Sequence, residues 1–197
     1  MRRILLMVLG LAFAGFASAD SLPPVTASDY VQGKADAPVT VIEYFSLDCP
    51  HCAKWEQDVF PKVKADFIDT GKIRFVMRDF PLHGVSLQAA LLAHCDPDEY
   101  AAFVDTLFQS QLAWVPLKQG DDPMIELGKI AKLGGISEAR FKACEDDKKL
   151  SESIVSSRAG GEAAGVTGTP HFFFNGKGQN GELTYDQFAK LARDAGA

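Results

Sequence analysis

The chain has 197 residues, with 20 basic and 26 acidic side chains and a net charge of −6. This length suits one domain, or one domain with a sizeable insertion. A hydrophobic fraction of 47% and a charged fraction of 23% exclude a disordered or fibrous protein. The acidic balance argues against nucleic acid as a partner, because no basic surplus exists to neutralise phosphates. Four cysteines are too few for a disulfide scaffold of this size.

The first 19 residues have the pattern of a secretory signal peptide. Arg2 and Arg3 precede an uncharged apolar run over residues 4–17, and small residues occupy 17–19. We expect cleavage after Ala19. The alternative is an uncleaved membrane anchor, although the run is shorter than the ~20 residues that a comfortable span needs. A secreted protein works where disulfides persist, so its cysteines are expected to meet oxidising conditions.

A strand–helix–strand pattern follows a polar lead-in at residues 20–36. The β-branched and aromatic run 39–45 predicts a buried strand. A helix is expected from about Pro50, since the first helical turn tolerates proline. Residues 73–78 predict a second strand. Such a βαβ unit predicts a parallel strand pair.

The next 80 or so residues contain helical segments and no convincing strand. Helices are expected at 85–95, 97–114, 123–133, 137–145 and 148–158. Ser137 is expected to cap the fourth of these, and the Gly160-Gly161 pair to end or hinge the last.

The end of the chain returns to strands. Residues 171–174 predict a strand, Asn175-Gly176 a tight turn, and residues 182–183 a weaker strand. Thr184 is expected to cap a final helix over 185–195.

These elements predict an α/β sheet of four strands with a helix near each end. Without its last strands the sheet would lack half of its members, so the helical block is interpreted as an insertion. The expected boundaries are an α/β domain over residues 37–80 and 162–197, interrupted by an all-helical insertion over residues 81–161.

The motif Cys49-Pro50-His51-Cys52 lies where the first predicted strand gives way to a helix. Cys49 at the helix N-terminus would meet free backbone N–H groups and the positive end of the helix dipole, which stabilise a thiolate. Cys52, one turn further on, would be more buried. One exposed nucleophile and one resolving thiol are what dithiol exchange needs. His51 is expected to add a hydrogen-bond donor or a positive charge near the Cys49 sulfur.

Two other uses of this motif remain open. Zinc would need two further ligands, and a structural disulfide would need none. The candidate extra zinc ligands form no second paired motif; they are Cys95, Cys144, His83, His94 and His171.

A second feature lies far downstream, at Gly168-Thr169-Pro170, directly before the strand at 171–174. Proline is allowed at the first residue of a strand, and a cis bond there would form a tight bend. Thr169 could then present backbone groups to an extended substrate chain by strand addition. An ordinary trans proline turn is the alternative.

The run Val-Ile-Glu-Tyr-Phe-Ser-x-x-Cys-Pro-His-Cys at 41–52, the helical insertion and Thr-Gly-Thr-Pro at 167–170 resemble the DsbA-like thiol:disulfide oxidoreductases. The resemblance covers the chain from about residue 37 to its end. It implies a thioredoxin fold, a mixed sheet flanked by helices, with an inserted all-helical domain. It also implies that Cys49 exchanges with substrate, that Cys52 resolves, and that the two form a redox-active disulfide.

The resemblance further implies a periplasmic enzyme without cofactor or metal. Its partners would be reduced, unfolded secreted proteins and a quinone-linked membrane protein that reoxidises it. Thr169 before Pro170 is similar to what disulfide isomerases and some DsbA-like proteins carry, whereas the best-known oxidases carry valine; this keeps an isomerase or reductase as the alternative. Residues 20–36 are too short for the dimerisation segment of isomerases, so a monomeric oxidase is favoured. A holdase with a vestigial dithiol is the alternative from another class.

Three further acidic or sulfur-containing features complete the expectations. Glu43 on the first strand matches a family position, where a buried carboxylate would exchange a proton with Cys52; a salt bridge or simple exposure is the alternative. Asp48 is expected to face solvent. Cys95 and Cys144 are expected to form a structural disulfide, because leftover cysteines in an oxidising compartment most often pair. Two separate buried thiols or a redox-regulatory pair remain the alternatives.

Overall fold

A five-stranded mixed sheet organises the protein. The computed structural model describes residues 22–26, 29–116, 120 and 122–197, so the predicted signal peptide lies outside the described residues. The strands are β1 (Tyr30–Gln32), β2 (Val39–Phe45), β3 (Ile73–Asp79), β4 (His171–Phe174) and β5 (Lys177–Asn180). Their order across the sheet is β1-β3-β2-β4-β5. Strands β2 and β3 pair in parallel, as the βαβ pattern predicts, and all other pairs are antiparallel.

The structure corrects the sheet prediction at both edges. The lead-in contributes a fifth strand, β1, which is only three residues long and therefore has too little alternation to be recognised. The last strand, β5, is fully exposed and follows the turn directly instead of lying near residues 182–183. Asn175 and Gly176 have φ values of 46° and 86°, as a two-residue hairpin turn requires. Pairing through this turn forms β5, although its residues carry no hydrophobic signal.

Helices cover the sheet, and most of those described lie between β3 and β4. The α-helices are α1 (Pro50–Asp58), α2 (Phe60–Val63), α3 (Gly84–Ala93), α4 (Tyr100–Gln109), α5 (Gln111–Trp114), α6 (Pro123–Leu133), α7 (Glu138–Glu145), α8 (Lys148–Ala163) and α9 (Tyr185–Asp194). A π-helical stretch (Lys64–Ile68) extends α2, and a 3₁₀ turn (Pro97–Glu99) precedes α4. No helix among the described residues is long and apolar enough to cross a membrane.

Two helix predictions need correction. The segment expected as one helix over 97–114 is a 3₁₀ turn followed by α4 and α5, with Ser110 outside helical backbone angles at their junction. The Gly160-Gly161 pair does not end α8, which continues to Ala163. Gly161 packs directly on the ring of Tyr44, where an added Cβ would lie 2.8 Å from a ring carbon. Gly161 therefore allows α8 to pack closely on the sheet, and it does not end the helix.

The two faces of the sheet have separate cores. Alternate residues of β2, including Val41 and Phe45, face α1, α9 and the helices between β3 and β4. Trp55 from α1 is fully buried there, between the rings of Phe75 and Phe172. The opposite face, with Tyr44, is covered by the N-terminal segment and the end of α8. The face with Val41 and Phe45, against which α1 packs, is therefore the active face of the sheet.

Candidate functional site

The dithiol motif lies at the start of α1, at the end of the central strand β2. Cys49 is the N-cap residue with extended backbone angles, and Pro50 occupies the first helical turn. Proline fits there because its missing N–H would have no intrahelical partner. Cys52 follows in the first turn, and both cysteines are free thiols. Their sulfurs are close enough for the Cys52 thiol to hydrogen-bond to Cys49.

Hydrogen bonds to its sulfur dominate the chemistry of Cys49. They lower the pKa of Cys49 from 9.0 to about 6, and the largest contribution comes from the Cys52 thiol. Further hydrogen bonds come from the backbone N–H groups of Cys52 and His51, and the contributions that lower the pKa together outweigh the opposing effect of burial. The side chain was predicted to be exposed, yet Cys49 is only 4% exposed, because the loop before β4 covers it.

Cys52 has the opposite electrostatic environment. It is 1% exposed, and burial raises its pKa well above the value of a free thiol. The hydrogen bond to Cys49 and the negative charges of Cys49 and Glu43 raise the pKa of Cys52 further. The two thiols therefore differ strongly in acidity, with the thiolate favoured on Cys49.

The loop before β4 closes over the dithiol. The peptide bond between Thr169 and Pro170 is cis. The Cys49 thiol donates a hydrogen bond to the Thr169 carbonyl oxygen at 3.3 Å. The Pro170 carbonyl accepts from the backbone N–H of Gly181, which ties this loop to the segment after β5. The downstream motif and the dithiol thus meet, although 120 residues separate them.

Glu43 is buried in the middle of β2, on the same face as the dithiol. Burial raises its pKa well above 4.5, and the charges of Glu56 and Cys49 add to the shift. Its Oε2 atom has no hydrogen-bond partner among the residues that the structure describes. A salt bridge was the alternative reading, but Glu43 makes no ion pair within the described ranges. A buried carboxyl group with a raised pKa beside Cys52 is able to exchange a proton with it.

The imidazole of His51 contacts a carboxylate in the structure, and its predicted action on Cys49 stays a prediction. Its Nδ1 lies 3.1 Å from Oε2 of Glu182, and the side chain is 68% exposed. The group that contacts the Cys49 sulfur is instead the backbone N–H of His51. The sequence interpretation missed Glu182 because it is 131 positions from His51 and no motif links the two.

Asp48 also differs from expectation, since its carboxylate is buried and not in solvent. Oδ1 accepts a hydrogen bond from the hydroxyl of Ser46 at 2.6 Å, and Oδ2 lies 2.6 Å from Nδ1 of His83. The carboxylate is therefore turned towards α3. These contacts hold Asp48 in place within residues 46–49, the active-site loop between β2 and α1.

Two further residues near the dithiol escaped the sequence interpretation. Glu56 is four positions after Cys52, so both lie on one helix face, a spacing that could have indicated it. Burial and the charge of Asp105 raise the pKa of Glu56 to about 8. Gln111 from α5 donates to the carbonyl oxygens of Leu47 and Cys49, at 2.7 and 3.0 Å. No short-range signal marks Gln111.

The remaining cysteines and histidines lie away from the dithiol. Cys95 and Cys144 are joined by a disulfide, with their Cα atoms 5.7 Å apart. His94 pairs with Asp79 at 2.7 Å. His171 stacks on Phe173, on the face of the sheet opposite the active site. Within the described part of the chain, no three His, Cys, Asp or Glu side chains are grouped so that they could hold a metal ion.

Comparisons with known proteins agree with this arrangement. A thioredoxin family model matches residues 26–194. A Rickettsia typhi protein named a protein-disulfide oxidoreductase is 36% identical over 152 residues, which are 76% of this chain and 55% of that protein. The chain thus spans little more than half the length of this curated relative.

Solved structures cover the chain more completely. Wolbachia pipientis α-DsbA1 is 32% identical with a TM-score of 0.76, over 87% of this chain and 94% of that one. Bacillus subtilis BdbD is 28% identical with a TM-score of 0.74, over 89% and 96% of the two chains. The predicted thioredoxin fold, a mixed sheet flanked by helices, is confirmed. The chain belongs to the DsbA-like thiol:disulfide oxidoreductases of the thioredoxin superfamily.

Proposed function

We propose that this protein introduces disulfides into reduced, unfolded secreted proteins by donating a Cys49–Cys52 disulfide. The observation that carries the proposal is the opposite acidity of the two thiols. Hydrogen bonds lower the pKa of Cys49 to about 6, whereas burial raises the pKa of Cys52. A stabilised Cys49 thiolate favours the reduced form of the protein, and this makes its disulfide a strong oxidant.

The reaction balances as a two-electron exchange. A substrate thiolate attacks the Cys49 sulfur of the oxidised protein, the Cys49–Cys52 bond breaks, and a mixed disulfide forms. Cys52 leaves as a thiolate and takes up a proton. A second substrate thiolate then attacks the substrate sulfur of the mixed disulfide, and Cys49 leaves as a stabilised thiolate. The substrate is oxidised to a disulfide, and the Cys49–Cys52 pair gains the two electrons.

The neighbouring residues have distinct roles in this proposal. Glu43 gives the departing Cys52 its proton, because burial raises the pKa of Glu43 and favours the protonated carboxyl group beside Cys52. Pro50 starts α1, and the backbone N–H of His51 stabilises the Cys49 thiolate. Thr169 and Pro170 form the loop along which an extended substrate segment adds as a strand.

The proposal extends to the cellular setting. Residues 1–19 direct the chain to the periplasm and are cleaved after Ala19, and the mature protein is a monomer that a quinone-linked membrane protein reoxidises. N-terminal sequencing of the mature protein tests the cleavage. Light scattering after size exclusion tests the monomer, and a stable dimer would favour the second candidate function. That candidate, a disulfide isomerase or reductase acting through the same dithiol, is supported by Thr169 before Pro170.

The reduction potential of the mature protein, measured against glutathione buffers, decides between these functions. Trp55 is fully buried on α1, three residues after Cys52, and provides a fluorescence signal. A value near about −120 mV, which is typical of a strong thiol oxidant, would support the oxidase. A value near thioredoxin's, about −270 mV, would favour a reductase. The Cys49→Ser variant should also lose the ability to oxidise a reduced, unfolded substrate; full activity of this variant would rule out every redox function.

A further inference from the structure

A cluster of three polar side chains lies beside the start of α1. Glu182 lies in the segment between β5 and α9, and its Oε1 accepts a hydrogen bond from Nζ of Lys54 at 2.6 Å. Its Oε2 lies 3.1 Å from Nδ1 of His51. Its side chain is only 26% exposed, against 68% for His51. Lys54 also contacts Asp58, at 3.4 Å. Glu182 is thus the least exposed member, and both Lys54 and His51 of α1 contact its carboxylate.

The position of Glu182 is fixed by its neighbours. The backbone N–H of Gly181 donates to the Pro170 carbonyl oxygen at 3.0 Å, and Leu183 is buried in the core. The carboxylate therefore projects from the same loop cluster that covers Cys49. This location lets it compete with the Cys49 thiolate for the imidazole of His51.

The contacts of the Cys49 sulfur indicate whether the Glu182 carboxylate or the Cys49 thiolate binds the imidazole of His51. The sulfur is stabilised by the Cys52 thiol and by two backbone N–H groups, and the His51 side chain is not among its hydrogen-bond partners. The imidazole is instead engaged by Glu182. Any positive charge on the ring is then largely compensated by the nearer carboxylate, since Coulomb interaction falls with distance.

We propose that Glu182 is a positioning residue, which holds the His51 imidazole away from Cys49 and thereby limits the oxidising strength of the dithiol. Without the carboxylate, His51 is free to turn towards the sulfur and stabilise the thiolate. This inference rests on the proposed function, in which Cys49 is the exchanging thiol.

A double-mutant cycle with Glu182→Gln and His51→Ala tests this role. In Glu182→Gln, the pKa of Cys49, followed by thiolate absorbance, should fall by roughly half a unit, which is the size expected for an exposed charge pair. The equilibrium constant with glutathione should shift about threefold, or ~14 mV, towards a stronger oxidant. In the His51→Ala background, Glu182→Gln should change neither quantity. Glu182→Ala, which leaves no acceptor, should act in the same direction.

Asp58→Asn is the matched control, because it removes a carboxylate that contacts Lys54 on the same helix without touching His51. It should leave the pKa and the potential unchanged. The inference is overturned if Glu182→Gln has the same effect with Ala at position 51, since the carboxylate would then act by its charge alone. A rise in the pKa of Cys49 also overturns it, since Glu182 would then keep His51 charged over the thiolate. Failure of the proposed function is distinguishable, because the unmodified protein would then have a reduction potential close to that of thioredoxin, whereas failure of this inference changes only the response to Glu182→Gln.

Discussion

The acidity of one buried thiol links the chemistry of the site to the stability of the protein. Cys49 titrates near pH 6 in the folded, reduced form and near 9.0 as a free thiol. A pKa that is lower in the folded state adds stability above the unfolded pKa, and this stability is lost as the pH falls through the folded pKa. The oxidised form has no thiol at this position and lacks the contribution. The difference between the two redox forms must therefore depend on pH.

We expect the free energy of unfolding of the reduced protein, minus that of the oxidised protein, to rise by about 1.4 kcal/mol per pH unit between roughly pH 6 and pH 9. Below pH 6 the difference should be flat. Urea denaturation of both forms at several pH values measures it, and reduced Cys49→Ser should show no such slope. A difference independent of pH would contradict the lowered pKa of Cys49.

Replacing Glu43 by glutamine separates the effect of Glu43 on the stability of the protein from its effect on the rate of thiol exchange. Because burial raises the pKa of Glu43, the folded state disfavours the ionised carboxylate, and this destabilises the protein as the pH rises above the ordinary carboxyl range. Glu43→Gln should therefore stabilise the protein by roughly 1–3 kcal/mol near pH 7, but not at pH 3.

The same variant should slow the release of Cys52 from the mixed disulfide, because the amide donates no proton to the departing thiolate. Stopped-flow oxidation of a dithiol peptide measures this rate. An unchanged rate together with raised stability would mean that Glu43 is buried beside the dithiol without taking part in proton transfer.

The role of a residue was predictable where its neighbours in the sequence determine that role. Cys49 and Cys52 follow from the spacing of the motif at the start of a helix. The imidazole of His51 was predicted to act on Cys49, which stays a prediction, although the ring contacts Glu182 in the structure. Asp48 was predicted to face solvent, and the structure contradicts this expectation. Their partners, Glu182 and His83, lie in distant segments, so no pattern in a single sequence reveals the pairings.

At the level of elements, α5 links the helices between β3 and β4 to the active-site loop. The amide of Gln111 donates to the carbonyls of Leu47 and Cys49, which lie before and at the start of α1. Gln111→Leu keeps a side chain of similar length and removes both donors. We expect a loss of about 1–3 kcal/mol in the free energy of unfolding, because buried carbonyl groups lose their partner.

The control for this prediction is Gln109→Leu on the neighbouring helix α4. The amide of Gln109 bonds only to Asp105 in an exposed position. Such a surface change should stay within about 0.5 kcal/mol. Equal losses in the two variants would mean that the bonds from Gln111 do not stabilise the active-site loop.

Elements with a strong pattern were predicted best. The buried strands β2, β3 and β4 have runs of β-branched or aromatic residues, and α9 begins at Thr184 with a complete capping box that includes Gln187. The edge strands β1 and β5 have no such pattern, because one is three residues long and the other is fully exposed. Both form because a paired neighbour is already in place, which a local reading of the sequence does not show.

For the whole molecule, the connection between β3 and β4 decides how the parts are held together. The polypeptide leaves the sheet after β3, forms α3 to α8, and returns beside β2 to place Pro170 over the dithiol. The helices between these strands share one core with the active face of the sheet. The disulfide between Cys95, after α3, and Cys144, in α7, closes a loop inside these helices.

Removing this disulfide should weaken the whole molecule and not only the helices. Cys95 and Cys144 are 49 positions apart, and closing a loop of this length stabilises a folded protein by roughly 4 kcal/mol in the chain-entropy model. For a protein of this size, the melting temperature of the Cys95→Ala/Cys144→Ala variant should fall by roughly 10 °C. Because the sheet and the helices between β3 and β4 share a core, calorimetry should show one unfolding transition at the lower temperature. Two separated transitions would contradict the shared core, and an unchanged melting temperature would mean that the reduced, unfolded chain is already held compact without the bond.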